Sequence, residues 1–172
     1  MSALTLFRGV AKAGLFGAVR GMVFRSHMDI ALEEARAAAE RGEVPVGAVL
    51  IAPDGTIAAR AGNRTRELSD PTAHAEILVL REACAAIGSE RLPGFDLYVT
   101  LEPCAMCAAA IASARVARVY YGASDPKSGG VAHGACVFDH PQSHHRPEIY
   151  DGIAGEEAAH LLKVFFAEKR PR

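Results

Sequence analysis

Two short motifs carry the residues best suited to chemistry: His74-Ala75-Glu76, and Pro103-Cys104-Ala105-Met106-Cys107. One imidazole and two thiolates make three zinc ligands, a count that fills three corners of a tetrahedron and leaves the fourth open for water. A carboxylate two residues from the histidine can move a proton without ligating the metal. Taken alone, Cys-x-x-Cys would serve equally as a redox pair or as half of a structural zinc knot. Joined to His74 and Glu76, it points to hydrolysis at zinc.

The cysteines stand three apart at the expected start of an alanine-rich helix, Cys104 to Ala114, so both sulfurs share one face and the helix N-terminus favours their thiolate form. His74 and Glu76 pose a harder problem, because residues two apart on a regular helix point about 200° from each other. Near a first turn, however, side chains lean toward the N-terminal end, and both can reach a pocket over it. The pattern places that turn early in a helix opening at Asp70-Pro71 and stopping at Gly88.

The surrounding elements form an alternating series. Ser26 and Asp29 have capping-box spacing ahead of a helix that Gly42 ends. Val44 to Ile51 reads as a strand covered on both faces, and Pro53-Asp54-Gly55 turns it into a second, Thr56 to Ala61. Leu97 to Leu101 and Val116 to Tyr121 flank the cysteine helix, a crossover that implies a parallel pair. Residues 123–155 read mainly as loop with a short strand near Glu148 to Ile153, and Glu156 to Arg170 closes as an amphipathic helix with Leu161, Leu162, Phe165 and Phe166 inward. The expected fold is α/β, a three-layer α/β/α sandwich around a mixed sheet of about five strands.

With 172 residues and half of them apolar, the chain has enough core for one domain. Its longest uncharged apolar stretches fall well short of the roughly 18 residues needed to span a bilayer. Two isolated cysteines, Cys84 and Cys136, beside one Cys-x-x-Cys suit a metal site in a reducing compartment rather than a disulfide framework, so cytoplasm is expected. The net charge of −1 is uneven: residues 1–25 hold Arg8, Lys12, Arg20 and Arg25 and no acid, and taking those four from 19 basic residues leaves 15 against 20 acids, or −5. Residues 1–25 are therefore expected to be a loosely ordered basic extension and 26–172 the catalytic domain. A body so charged would not bind nucleic acid by bulk charge; such a partner must be met by a local patch.

His-x-Glu followed by Pro-Cys-x-x-Cys resembles the cytidine deaminase superfamily. Glu43-Val-Pro-Val-Gly-Ala-Val49, Asp70-Pro-Thr-Ala-His-Ala-Glu76, Leu97-Tyr-Val-Thr-Leu-Glu-Pro-Cys-Ala-Met-Cys107 and Phe165-Phe166 look more specifically like the bacterial tRNA adenosine deaminases, over about residues 26–170. The resemblance implies a cytidine deaminase-like fold, one zinc per subunit on His74, Cys104 and Cys107, and proton transfer by Glu76. It implies that Asn63 hydrogen-bonds the purine, a role an amide suits because it offers donor and acceptor together. It also implies a homodimer that grips a tRNA anticodon stem-loop and turns its wobble adenosine into inosine, with Ala75, Asp125, Lys127, Phe165, Lys169 and Arg170 on the substrate side.

Two other readings share parts of this pattern. A deaminase of free guanine, cytosine or a nucleoside would use the same zinc site and the same glutamate. A noncatalytic zinc-stabilised module would need a fourth protein ligand. Cys84 lies ten residues and nearly three helical turns beyond His74, too far to supply it. Cys136 remains open on sequence grounds.

Overall fold

The structure is a computed structural model that describes residues 26–169; the basic extension, residues 1–25, and Arg170 lie outside the described residues. Four helices, α1 (Met28–Glu40), α2 (Ala75–Ile87), α3 (Ala105–Ala114) and α4 (Gly155–Lys169), accompany five strands, β1 (Gly47–Ile51), β2 (Ile57–Gly62), β3 (Asp96–Leu101), β4 (Arg118–Ala123) and β5 (Glu148–Tyr150). The sheet order is β2-β1-β3-β4-β5. β1 pairs antiparallel with both β2 and β3, whereas β3-β4 and β4-β5 are parallel. This is the mixed five-stranded sheet expected, with the cysteine helix α3 as the crossover between the parallel strands β3 and β4.

Alternation along the central strands divides the interior in two. Ala48, Leu50, Leu97, Val99, Val119 and Tyr121 face the layer of α2 and α3, while Val49, Ile51, Tyr98 and Tyr120 face that of α1 and α4. β1 is buried at all five positions because helices cover both its faces. Close packing of α1 on β1 depends on Gly47, where an added Cβ would fall 2.0 Å from the Ala31 carbonyl oxygen. On the α1 side Tyr98, Tyr120 and Tyr150 stack in register, with ring centroids 4.4 and 4.7 Å apart.

Several helix boundaries differ from the sequence expectation. α2 begins at Ala75, not at Asp70-Pro71, because the Asp70 carboxylate accepts the Thr72 amide at 2.8 Å and its hydroxyl at 2.6 Å, closing a local turn instead of capping a helix. α1 begins at Met28 with His27 at its N-cap, and Ser26 Oγ accepts the Met28 amide at 3.2 Å, so Ser26 and Asp29 form no reciprocal box. α3 begins at Ala105, one residue after Cys104. On α4, Phe165 is buried but Phe166 is 49% exposed, because the helix buries only a narrow stripe against β3, β4 and α1.

Leu50 is fully buried between β2, β3 and α2. Leu50→Ala should destabilise the domain by about 2–5 kcal/mol, read as a lower urea midpoint with an unchanged slope.

Candidate metal centre and active site

His74 and Cys104 occupy the same position in two different helices. Each is an N-cap with extended backbone, ψ 151° for His74 and 171° for Cys104, and neither side chain caps its helix. An N-cap side chain normally accepts a first-turn amide, worth about 0.5–2 kcal/mol. Here both are turned instead toward a shared point between the ends of α2 and α3. The non-helical backbone at His74 also removes the 200° conflict with Glu76. His74 precedes the helix, and Glu76, at the second helical position, leans back over its N-terminal end.

His74 Nδ1 lies 3.7 Å from Cys104 Sγ and 3.5 Å from Cys107 Sγ, and the three donor atoms all fall within 4.8 Å of one another. A tetrahedral zinc with bonds of about 2.3 Å to sulfur and 2.0–2.1 Å to nitrogen requires N···S separations of about 3.6 Å. The donor set therefore fits zinc in both chemistry and spacing. Among the described residues it is the one cluster of His, Cys, Asp or Glu with such geometry, and neither Cys84 nor Cys136 belongs to it. All four cysteines are free thiols.

Electrostatics in the cluster make Cys104 the thiolate of the pair. Hydrogen bonding from Cys107 and from His74 outweighs burial and pulls Cys104 down to about 4, while the Cys104 thiolate and burial push Cys107 upward. The same contact with Cys104 raises His74. Burial raises the Glu76 carboxyl above the ordinary carboxylate range, with His74 pulling it partly back. Glu76 is 3% exposed, contacts Cys107 and stands outside the ligand set. A buried, non-ligating carboxyl beside the donor set, less inclined to ionise than a solvated one, is placed to exchange a proton there.

These groups open onto a cavity of about 210 Å³ walled by Val44, Val46, Asn63, Leu101 and Asp125 as well as His74, Glu76 and Cys104. It is smaller than the roughly 300–1,000 Å³ of drug-sized sites, and apolar walls with a few polar groups suit a flat heterocycle. Asn63 is 6% exposed. Its amide nitrogen donates to Glu43 Oε2 and to Thr65 Oγ1, each at 3.3 Å, which leaves the carbonyl oxygen for a ligand. Of the other expected substrate residues, Ala75 is buried beside His74, Asp125 lines the cavity and Lys127 is exposed on the same loop. Phe165 and Lys169 sit on α4, with the Lys169 ammonium 5.4 Å above the Phe165 ring, across the sheet from α2 and α3.

Over residues 24–123 the chain matches the family model described as the cytidine and deoxycytidylate deaminase zinc-binding region. The chain belongs to that deaminase family. A curated tRNA-specific adenosine deaminase from Agrobacterium fabrum is 61% identical over 150 residues, covering 87% of this chain and 98% of that protein. A solved structure described under A-to-I editing by tRNA:A34 deaminases at the wobble position of transfer RNA is 62% identical, with a TM-score of 0.77 over 78% of this chain and 97% of its own. A guanine deaminase from Bacillus subtilis is more distant, at 29% identity and a TM-score of 0.58 over 86% of this chain and 96% of that one. As a zinc-dependent deaminase, the chain has the enzyme class its motifs indicated.

Two residues of this deaminase went unnoticed in the sequence, and both are buried carboxylates. Glu43 accepts the amides of Arg66 at 2.8 Å and Glu67 at 2.9 Å together with the Thr65 hydroxyl at 3.2 Å, and so shapes the loop that presents Asn63. Glu102, 2% exposed, accepts amides of the loop after β4. A Glu between Gly and Val, or between Leu and Pro, carries no mark distinguishing it from a solvated acid. The available signal was its position at the end of an otherwise apolar run, where an acid is out of place unless it is paired.

Burial opposes ionisation of Glu43, but the Glu67 and Arg66 amides and the Thr65 and Asn63 side chains outweigh it and hold the carboxyl below 4.5. A carboxylate lowered on folding binds its proton more tightly in the unfolded chain. Its stabilisation is thus complete above pH 4.5 and is lost as pH falls through the lower folded value. Glu43→Gln should make urea stability flatter with pH below 4.5 and lower it at pH 7; an unchanged acid limb would contradict the assignment.

Proposed function

We propose that this chain is a tRNA-specific adenosine deaminase that hydrolyses the wobble adenosine of a tRNA anticodon loop to inosine, releasing ammonia. The match at 61% identity along 98% of a curated enzyme of that name carries the reading, because it extends far past the zinc motifs, through the Asn63 loop and beyond β4. The cavity supports it: a volume of about 210 Å³ with apolar walls and a few polar groups suits a base of the kind a flipped-out nucleotide presents.

His74, Cys104 and Cys107 would hold the zinc. When bound there, the metal supplies a Lewis acid that makes water nucleophilic at neutral pH. Glu76 accepts a proton from that water and delivers it to the ring nitrogen beside the attacked carbon. Glu76 then passes the proton of the newly added hydroxyl to the amino group, which leaves as ammonia while the carbon becomes a carbonyl. A carboxyl raised by burial suits both directions of transfer, since burial weakens its preference for the ionised form. Asn63, with its amide held by Glu43 and Thr65, orients the base, while apolar contacts from Val44, Val46 and Leu101 exclude competing water.

The RNA backbone would meet the exposed loop charges, Lys127 first, and Lys169 at the end of α4, with Arg170 next in the sequence. Phe166, exposed on α4, adds an aromatic face. We further propose that the enzyme works as a homodimer in the cytoplasm, where its substrate resides. No helix among the described residues is long and apolar enough to cross a membrane.

The free-base reading has one observation in its favour, the structural likeness to the guanine deaminase. Incubating the purified protein with a tRNA bearing wobble adenosine, alongside guanine, cytosine and cytidine, separates the two by formation of inosine or ammonia. Inosine in the tRNA is the expected result, and turnover of a free base without editing would replace this reading. Glu76→Ala should keep its zinc and lose about 10²–10⁴-fold in kcat; full activity in that variant would remove the proton shuttle.

A further inference from the structure

Asp125 and Ser128 line the cavity, yet the chain from Ser124 to Cys136 that carries them contains no helix or extended strand. Most of its side-chain anchorage comes from one buried residue just past β3. Glu102 Oε1 accepts the consecutive amides of Val131 at 3.2 Å, Ala132 at 2.9 Å and His133 at 3.0 Å. Glu102 Oε2 accepts the Asp125 amide at 3.0 Å and lies 2.7 Å from His133 Nδ1. Successive amides converging on one point form a nest, a concavity that binds anions. Here the anion belongs to the chain itself.

Both ends of the loop are thus tied to one carboxylate, Asp125 at the cavity and His133 beyond it. Two glycines let the backbone come close enough. An added Cβ at Gly129 would lie 2.5 Å from Glu102 Oε1, and one at Gly130 would lie 2.5 Å from the Ala105 amide nitrogen. The Gly130 amide donates to the Pro103 carbonyl at 2.9 Å, and Gly129 bridges to Cys104. The loop is therefore clamped onto the strand-to-helix junction that presents the cysteines.

We propose that Glu102 is a positioning residue of the deaminase, holding the 125–133 loop at the cavity mouth in the shape that the RNA around the reacting base meets. This rests on the tRNA reading given above. Glu102 stands outside the ligand cluster; it lines the cavity beside Asp125 and Ser128, but both of its carboxylate oxygens are taken up by loop amides and His133, so it acts through the loop. An ionised carboxylate only accepts hydrogen bonds, and all of its partners here are donors; a glutamine would turn an NH2 toward some of those amides. The conservative exchange therefore disrupts the nest while keeping the side chain's volume.

Glu102→Gln can be compared with the unaltered full-length enzyme in three measurements: zinc per chain, amide hydrogen exchange, and kinetics on an anticodon stem-loop with wobble adenosine. The expected result is unchanged zinc, exchange about tenfold faster within residues 125–133 but not in α2 or β3, and KM raised about tenfold with kcat within about threefold. His133→Ala, which removes one donor at a partly exposed position, should shift exchange and KM in the same direction by less, and it tests the loop should Glu102→Gln not fold. Zinc loss, a fall in kcat at constant KM, or unchanged loop exchange would overturn the proposal. If the unaltered enzyme does not edit the stem-loop, the substrate reading fails, and loop exchange alone decides whether Glu102 is the anchor.

Discussion

Placing the first zinc ligand of each motif at a helix N-cap is the constraint from which the rest of the site follows. A residue at that position has extended backbone, so its side chain can leave the helix axis and meet another element, while the next turn presents its amides and positive dipole end to the same space. His74 does this for α2 and Cys104 for α3, and neither caps its own helix. Two N-termini pointing at one place favour negative charge there, as at Cys104, and the third helical residue of α3, Cys107, comes within 3.5 Å of His74. The sheet makes this convergence possible: α2 packs on β1 and β2, β3 lies beside β1 and leads directly into α3, and α2 and α3 meet.

A second constraint shapes what surrounds the metal centre. The cavity is walled by loops, and loops lack the internal hydrogen bonds that fix helices and strands. Each of the two loops that reach it is tied to a buried carboxylate from a more rigid part of the chain, Glu43 for residues 63–67 and Glu102 for residues 125–133. Burying an acid is costly unless its oxygens are satisfied; backbone amides supply most of the partners of Glu102, and two amides with the Asn63 and Thr65 side chains supply those of Glu43. The acid and the loop are thus mutually dependent: neither is stable in place without the other. Such an arrangement preorganises the cavity mouth.

Much of this could be read in the sequence, and the misreadings share a cause. The order of strands and helices, the parallel β3-β4 pair and the short β5 follow from periodicity and from crossover length. Asp70-Pro71 and Ser26-Asp29 failed as helix starts because short polar side chains close local turns as readily as they cap helices, and the choice depends on where the neighbouring chain runs. Phe166 has the composition of a core residue, but α4 meets the sheet along too narrow a stripe to cover it. Glu43 and Glu102 look like any surface acid until the amides that surround them, from loops more than 20 residues away, are in place.

By itself the sequence determined the reaction chemistry, because the ligand types and the non-ligating carboxylate are covalent facts of the chain and zinc hydrolysis requires them. It determined the layered α/β fold too, since alternating apolar strands and amphipathic helices have few other ways to bury their faces. Tertiary structure alone decided how His74 and Glu76 can serve one site, by ending the helix between them, and which acids would organise the loops. Those outcomes depend on contacts between segments far apart in the chain, where the stability of a group is set by what surrounds it and not by its neighbours in sequence.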